Sequence, residues 1–317
     1  MDLKDKRLLL ELFNDSRASF TTIAEQIGVS KEVCRYNYEK MLESKVIKKI
    51  IPVIDFYRLG FNIYRLHIKL EPISNEEKLA FIEKIKKIKK LVWIDEIYGK
   101  WDLLIHLYLE NNSEFDIIYN QLLNENGSII EDKVMTIITN ITYYSPNYLI
   151  EDSKRYEIEI GGEYKKQDID ESKKIIINSF FEDARIPIVN IASKLNLTLN
   201  AVKYQIKGLK EDGIIKGFIP IIDYEKYGYE HFNVKIELLK PNQKEEFIRA
   251  IKTNPNVTLL IESLGKYDIE FDCEYQKVQI LLQLITEYKK KFKIKDYEIT
   301  FDNHEVMIES YHKNLFI

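Results

Sequence analysis

The sequence predicts an α+β protein built from two copies of one module, each a set of three short helices followed by a βαββαβ sandwich. Three observations predict it. Residues 184–229 repeat residues 16–61 without a gap: one offset of 168 relates Arg17 to Arg185, Ala24 to Ala192, Tyr36 to Tyr204, Pro52 to Pro220, Asp55 to Asp223 and Gly60 to Gly228. Further on, "GKWD" at 99–102 is answered by "GKYD" at 265–268, so about two residues were lost in between and the whole half is duplicated. Within each copy, apolar residues recur first at helical spacing and then in β-branched runs alternating with helical ones.

The first helix shows in the stripe Leu8, Leu9, Leu12 and Phe13, repeated as Ile176, Ile177, Phe180 and Phe181. Ile23, Ala24 and Ile27 predict a short second helix closed by Gly28 in a left-handed cap; Ile191, Ala192 and Leu195 repeat it. Ser30 then caps a third helix with Val33 or Cys34, Tyr38, Met41 and Leu42 inward, and Thr198 caps its counterpart with Val202, Ile206 and Leu209 inward. The short interval between second and third helices is helix-turn-helix geometry, and Ala24 and Ala192 let the two helices cross closely. A generic three-helix bundle is the plain alternative, and repetition of the same caps speaks against it.

After the third helix, "KVIKKIIPVID" and "DGIIKGFIPIID" read as a strand, a wing or hinge, ending at Pro52 or Pro220. Copy one then continues as strand 63–70, helix 75–89, strands 91–98 and 103–109, helix 113–123 and strand 133–143. Copy two continues as strand 232–239, helix 243–253, strands 257–264 and 269–275, helix 277–292 and strand 297–308. This order makes an antiparallel sheet with helices on one face, a ferredoxin-like sandwich. The division is therefore 1–54 and 170–222 for two (winged) helix-turn-helix units and 55–146 and 223–317 for two ferredoxin-like domains. A linker, 147–169, has an alternation at Tyr156, Ile158 and Ile160 that predicts an extra strand.

Composition bounds the rest. A chain of 317 residues, 45% hydrophobic and 31% charged, exceeds one core, and no apolar run approaches the roughly 20 residues of a membrane span. The opening "MDLKDKRLLLELF" reads as a helix and not as a signal peptide, which places the protein in the cytoplasm. Cys34 and Cys273 fall at unrelated positions and read as small apolar residues. The net charge of −4 excludes a wholly basic surface, and residues 1–50 hold ten Lys and Arg against eight acids, so non-specific affinity for polyanions is expected to be modest. The lysine-rich runs at 84–90 and 288–295 read as solvated helix faces, with Ile85, Ile88, Phe292 and Ile294 buried. No nucleophile constellation, P-loop or dinucleotide fingerprint is present, so neither an enzyme nor a cofactor is expected.

The chain resembles the leucine-responsive regulatory protein (Lrp/AsnC) family of prokaryotic transcription regulators. The residues that carry the resemblance are "D-x-R" (Asp15, Arg17; Asp183, Arg185), "IA" (Ile23, Ala24; Ile191, Ala192), the Ser30 and Thr198 caps, "EDGIIKGFIPIID", and "G-x-x-D" at Gly99–Asp102 and Gly265–Asp268. The resemblance implies a helix-turn-helix that binds double-stranded DNA and a ferredoxin-like domain for dimerisation, further self-association and binding of an amino-acid or related effector, with no membrane partner. The effector site it implies lies at Gly99, Lys100, Asp102, Gly265, Lys266 and Asp268, where glycine admits a ligand to the backbone and a carboxylate can accept from an ammonium group. The plain alternative is a tight turn whose aspartate caps its own backbone. A fused pair is then a covalent pseudo-dimer able to read an asymmetric site.

The side chains expected at DNA are Ser30, Lys31, Arg35, Tyr36 and Asn37 in copy one, with Glu32 beside them, and Thr198, Asn200, Lys203, Tyr204 and Gln205 in copy two, with Leu199 beside them. Arginine and lysine pair with guanine edges, asparagine and glutamine with adenine, and a capping hydroxyl with phosphate; a solvated helix face is the alternative. Two positions depart from the family pattern: Asn37 and Gln205 stand where an arginine is common, and Lys45 stands where copy two keeps Gly213. Two other readings compete. Siroheme decarboxylases resemble this family and occur as fused halves, but they carry a histidine in a "YNLWF"-like stretch that "IYGKWDLLIHL" and "SLGKYDIEFDC" lack. His67, His106, His231, His304 and His312 read as surface or strand residues and not as ligands. The other reading is a metabolite sensor that no longer binds DNA, in keeping with a pI of 5.9.

Overall fold

The computed structural model describes residues 1–162 and 166–302. His304, His312 and the expected end of the last strand, 303–308, lie outside the described residues. Copy one comprises α1 (Leu3–Asp15), α2 (Phe20–Ile27), α3 (Lys31–Glu43), β1 (Ile47–Ile54), β2 (Asn62–Leu70), α4 (Asn75–Ile85), β3 (Leu91–Tyr98), β4 (Leu103–Leu109), α5 (Asn112–Asn126) and β5 (Ile130–Tyr144). The connector adds β6 (Glu157–Gly161), which pairs with β5 as the alternation predicts. Copy two comprises α6 (Glu171–Glu182), α7 (Ile188–Leu195), α8 (Leu199–Glu211), β7 (Ile215–Ile222), β8 (Glu230–Leu238), α9 (Lys244–Lys252), β9 (Val257–Gly265), β10 (Ile269–Tyr275), α10 (Val278–Lys291) and β11 (Ile294–Asp302).

Each copy makes a four-stranded antiparallel sheet, in the orders β5-β2-β4-β3 and β11-β8-β10-β9. The sheets also join edge to edge twice, β3 to β11 and β5 to β9, which closes an eight-stranded barrel with no free edge between the copies. Because side chains alternate along a strand, each sheet has two buried faces. On the outer face of sheet one, Leu66, Ile68 and Ile105 pack against Phe81, Ile82 and Leu122 of the covering helices. On sheet two, Phe232, Val234 and Ile236 pack against Phe247, Leu281 and Ile285. The inner faces meet inside the barrel, and there the sequence supplies Arg65, His67, Lys235 and Glu270, each at most 2% exposed.

The prolines correct an expectation. β1 and β7 do not stop at Pro52 and Pro220 but run two residues past them, paired as an antiparallel ribbon with Ile50 opposite Pro220 and Pro52 opposite Phe218. Each strand of a two-stranded ribbon has an unpaired edge, so a proline whose nitrogen faces that edge costs no ladder bond. The ribbon crosses the copies over. Ile222 joins the core of head one, with Tyr224 and Tyr227 packed against it, while Ile54, Phe56, Leu59 and Phe61 join the core of head two. The amide of Asp223 donates to the carbonyl of Val46 at 2.9 Å and that of Asp55 to Ile214 at 2.8 Å, the same bond in both directions.

Two smaller expectations change. On α3 the buried stripe is Cys34, Tyr38 and Met41, while Val33 and Leu42 are exposed, because Leu42 lies about 100° around the helix from Met41. α4 ends at Ile85 rather than at residue 89: Lys87 and Ile88 make three-residue bonds to Lys84 and Ile85, which tightens the lysine run into a turn. His67 and His106 lie on strands, as the sequence reading allows, and His67 is fully buried inside the barrel.

Candidate nucleic-acid interface

Both recognition helices are built as the sequence requires. Ser30 Oγ accepts from the amide of Val33 at 3.3 Å and Thr198 Oγ1 from that of Ala201 at 3.2 Å, so each cap is engaged with its own helix. Outward from α3 stand Lys31, Glu32, Arg35 and Tyr36, and from α8 Leu199, Asn200, Lys203 and Tyr204, all exposed. Tyr36 and Tyr204 are 66% and 79% exposed, large rings that nothing in the fold covers. Arg35 Nε donates to Glu39 Oε1 at 2.7 Å, an exposed pair that a phosphate or guanine could replace at small cost. Asn37 and Gln205 sit lower on the helix flank, half-buried, and Gln205 Oε1 accepts from Ser172 Oγ at 2.9 Å. The two faces differ: Lys31 and Glu32 on head one correspond to Leu199 and Asn200 on head two.

The arginines of the "D-x-R" motif have a role that sequence reasoning did not assign. Arg17 donates from Nη1 to the carbonyl of Ala184 and from Nη2 to that of Ile186 at 3.1 Å. Arg185 returns the contact to the carbonyls of Ser16 and Ala18, the latter at 3.1 Å. Each guanidinium also lies over an aromatic ring, Arg17 over Phe180 and Arg185 over Phe20, both at 4.7 Å. Asp15 and Asp183 accept from the amides of Arg17 and Arg185 at 2.9 and 2.8 Å and hold each turn in shape. Burial, and then the neighbouring Arg185, lowers the affinity of Arg17 for its proton. The heads are thus clasped to each other through two matched arginines. The available signal was that the motif recurs at the same place in both copies.

The two "G-x-x-D" turns are brought to the barrel. Gly99 (φ +146°) lies against Thr300, where an added Cβ would stand 3.2 Å from its methyl, and Gly265 (φ +124°) lies 2.7 Å, on the same measure, from the carbonyl of Met135. These close approaches are to strands of the opposite copy. Asp102 Oδ2 accepts from the amide of Leu70 at 2.8 Å and Asp268 Oδ2 from that of Leu238 at 2.7 Å, so both carboxylates hold backbone within their own sandwiches. Lys100 and Lys266 both approach Glu298 Oε1, at 3.5 and 3.7 Å. Between the turns the indole of Trp101 donates to Tyr267 at 2.8 Å and to Glu298 at 3.0 Å, and His67 packs on both rings.

Inside the barrel Arg65 Nη1 donates to Glu270 Oε2 at 2.8 Å, a bond between the two copies. Lys235 donates to Asn233 Oδ1 at 2.5 Å and to Thr300 Oγ1 at 2.9 Å. His231 contacts Glu274 Oε1 at 3.0 Å, and burial raises the pKa of that carboxyl, opposed by His231. Burial, followed by the charges of Arg65 and Lys235, holds the His67 and His106 imidazoles neutral to well below the usual histidine range. No group of three or more side chains suited to a metal ion occurs among the described residues. No helix of the described residues is long and apolar enough to cross a membrane.

Comparison with known proteins agrees with this construction. Residues 1–42 match the AsnC-type helix-turn-helix domain, and residues 169–216 match a winged helix-turn-helix DNA-binding family. The transcriptional regulator LrpA of Pyrococcus horikoshii is 35% identical over 101 residues, 32% of this chain and 72% of that protein. AzlB, a transcriptional regulator of Bacillus subtilis, is 25% identical over 130 residues, 41% of this chain and 83% of its own. Each of these relatives spans less than half of the chain, as expected if it matches one copy. Among solved structures, the siroheme decarboxylase NirDL superposes on 98% of this chain and 95% of its own, with a TM-score of 0.62 and 13% identity. At that identity the likeness is one of fold.

Proposed function

The chain belongs to the Lrp/AsnC family, and from that premise we propose that it is a sequence-specific DNA-binding transcriptional regulator that acts as a covalent pseudo-dimer. The observation that carries the reading is a pair of capped recognition helices, both exposed, on heads fixed to each other by the Arg17 and Arg185 clasp. A clasped pair presents two recognition helices in a fixed relation, which two half-sites about 34 Å apart on one face of duplex DNA require. The divergent faces, Lys31 and Glu32 against Leu199 and Asn200, then read different half-sites. Ser30, Lys31, Arg35, Tyr36 and Asn37, with Thr198, Asn200, Lys203, Tyr204 and Gln205, form the proposed contact. Arg35 and Lys203 supply charge at matched positions, while Asn37 and Gln205 flank it.

An effector at Gly99, Lys100, Asp102, Gly265, Lys266 and Asp268 belongs to the same proposal in a reduced form. Asp102 and Asp268 are engaged with backbone amides, so a ligand there would meet chiefly Lys100 and Lys266. Further self-association would use the helical outer faces, since the barrel strands are closed on each other within the chain. The decarboxylase alternative has the fold likeness behind it; neither turn carries a histidine, and His67 and His106 sit on barrel strands. Fluorescence anisotropy of a selected duplex across a salt series tests the main reading. Arg35→Ala and Lys203→Ala should each weaken binding by roughly 1–3 kcal/mol if they read bases, or lower the salt slope by about one if they touch phosphate. Weak binding indifferent to both substitutions would sink it.

A further inference from the structure

A cavity of about 340 Å³ lies between the β1–β7 ribbon and the interior of the barrel. The ribbon wall is apolar apart from Lys48, with Ile51, Val53, Ile219 and Ile221, and the barrel wall carries Asp95 and Asp272 as well as Arg65 and His106, the last two on neighbouring strands in direct register. The volume falls within the roughly 300–1,000 Å³ of small-molecule sites, at the lower end. The polar atoms of the wall are unequally satisfied. Asp272 accepts from Asn233 Nδ2 at 2.7 Å. By contrast Arg65 Nε and His106 Nε2 are buried without a hydrogen-bond partner. Both can donate, and a buried donor left unmade costs about 1–3 kcal/mol. The Glu270 carboxylate takes only the Nη1 side of Arg65 and leaves the Nε edge for a second acceptor.

We propose that this cavity binds a small monoanion, a carboxylate on an apolar body, with the carboxylate at Arg65 and His106 and the body against the isoleucines of the ribbon. The site is distinct from the "G-x-x-D" turns. Since β1 follows α3 and β7 follows α8, a ligand seated on the ribbon presses on the one element that carries both heads. Its occupancy therefore changes DNA affinity; that consequence rests on the regulator reading, whereas the binding itself does not.

The test uses the full chain, with 4-phenylbutyrate as probe and its uncharged amide as control, followed by isothermal titration calorimetry and saturation-transfer NMR. The expected result is saturable binding of the acid with a Kd below about 1 mM, at least tenfold weaker binding of the amide, and at least tenfold loss on His106→Leu. Ile221→Trp, which fills the cavity from the half-buried ribbon side, should abolish binding while leaving the thermal midpoint near wild type. No saturable binding by folded wild type, equal binding of acid and amide, or binding indifferent to both substitutions would overturn the site. Saturating acid should change the affinity for a selected duplex at least threefold. Binding of the acid with no such change would overturn the coupling alone, and a chain that binds the acid but no duplex would overturn the regulator reading instead.

Discussion

The two halves of the barrel share every strand and differ in what they bury. Position by position, Arg65 and His67 of copy one correspond to Asn233 and Lys235 of copy two, and Leu104, His106 and Tyr108 to Glu270, Asp272 and Glu274. At these positions copy one supplies Arg65 and two imidazoles to the interior, and copy two supplies Lys235 and three carboxylates. A symmetric pair of first copies would set Arg65 opposite a leucine, and a symmetric pair of second copies would set Glu270 opposite an asparagine. Only the mixed pair brings Arg65 and Glu270 to 2.8 Å. Removing one partner of a buried ion pair leaves a charge uncompensated, which costs far more than the intact pair contributes. Fusion guarantees the mixed pairing, and in doing so frees the two heads to diverge as well.

The sharpest way to break that complementarity is Arg65→Met. We expect a loss of about 3–5 kcal/mol in urea denaturation, because Glu270 is then buried without its partner, and recovery of most of it in Arg65→Met/Glu270→Leu. The matched change in copy two, Asn233→Leu, should cost only about 1–3 kcal/mol, since it removes neutral partners of Asp272 and Lys235. A second expectation concerns pH. His67 and His106 are held neutral in the fold, so the unfolded chain binds more protons below its ordinary pKa of 6.5. Stability should therefore fall as pH drops from 6.5 toward 5, by up to about 1.4 kcal/mol per pH unit for each histidine. Glu274, whose pKa burial raises, works in the opposite sense, because the folded state then takes the proton more readily. His67→Gln should flatten the fall; stability that stayed level or rose toward pH 5 in wild type would contradict it.

Where the copies are alike, substitution should show the likeness. Arg17→Ala and Arg185→Ala each remove one side of the clasp and should cost similar amounts, about 1–3 kcal/mol, with the double variant less than additive because the two sites pack together. The smallest effect is at the turn after the recognition helix. Lys45 holds φ +58° where its counterpart Gly213 holds +69°, so copy one has kept the left-handed conformation and lost the residue suited to it. Lys45→Gly should raise the thermal midpoint by the equivalent of about 1 kcal/mol.

Much of this was legible in the sequence because helix stripes, caps and the constant offset are local signals. Ser30, Thr198, Gly28 and the buried Ile23 and Ala24 needed no knowledge of the partner copy. What the sequence hid was what depends on two distant segments meeting. In "NIYRLHIKL" the alternation of Arg65 and His67 with Tyr64, Leu66 and Ile68 reads as one wet face and one dry face. The barrel closes over the polar face, so it is buried too. The ribbon was hidden for the same reason: Pro52 and Pro220 end a strand in a sheet interior, and only the pairing of β1 with β7 shows that each sits on an edge. The glycines of the "G-x-x-D" turns were legible as positions of close approach, but what approaches them is the other copy's backbone.

The central claim is that one chain carries two clasped, non-equivalent heads, and selection of bound fragments from random duplex DNA tests it most directly. The account predicts enrichment of an asymmetric site with two unlike half-sites about one helical turn apart. Enrichment of a palindrome, or of a single half-site with no second element, would contradict it.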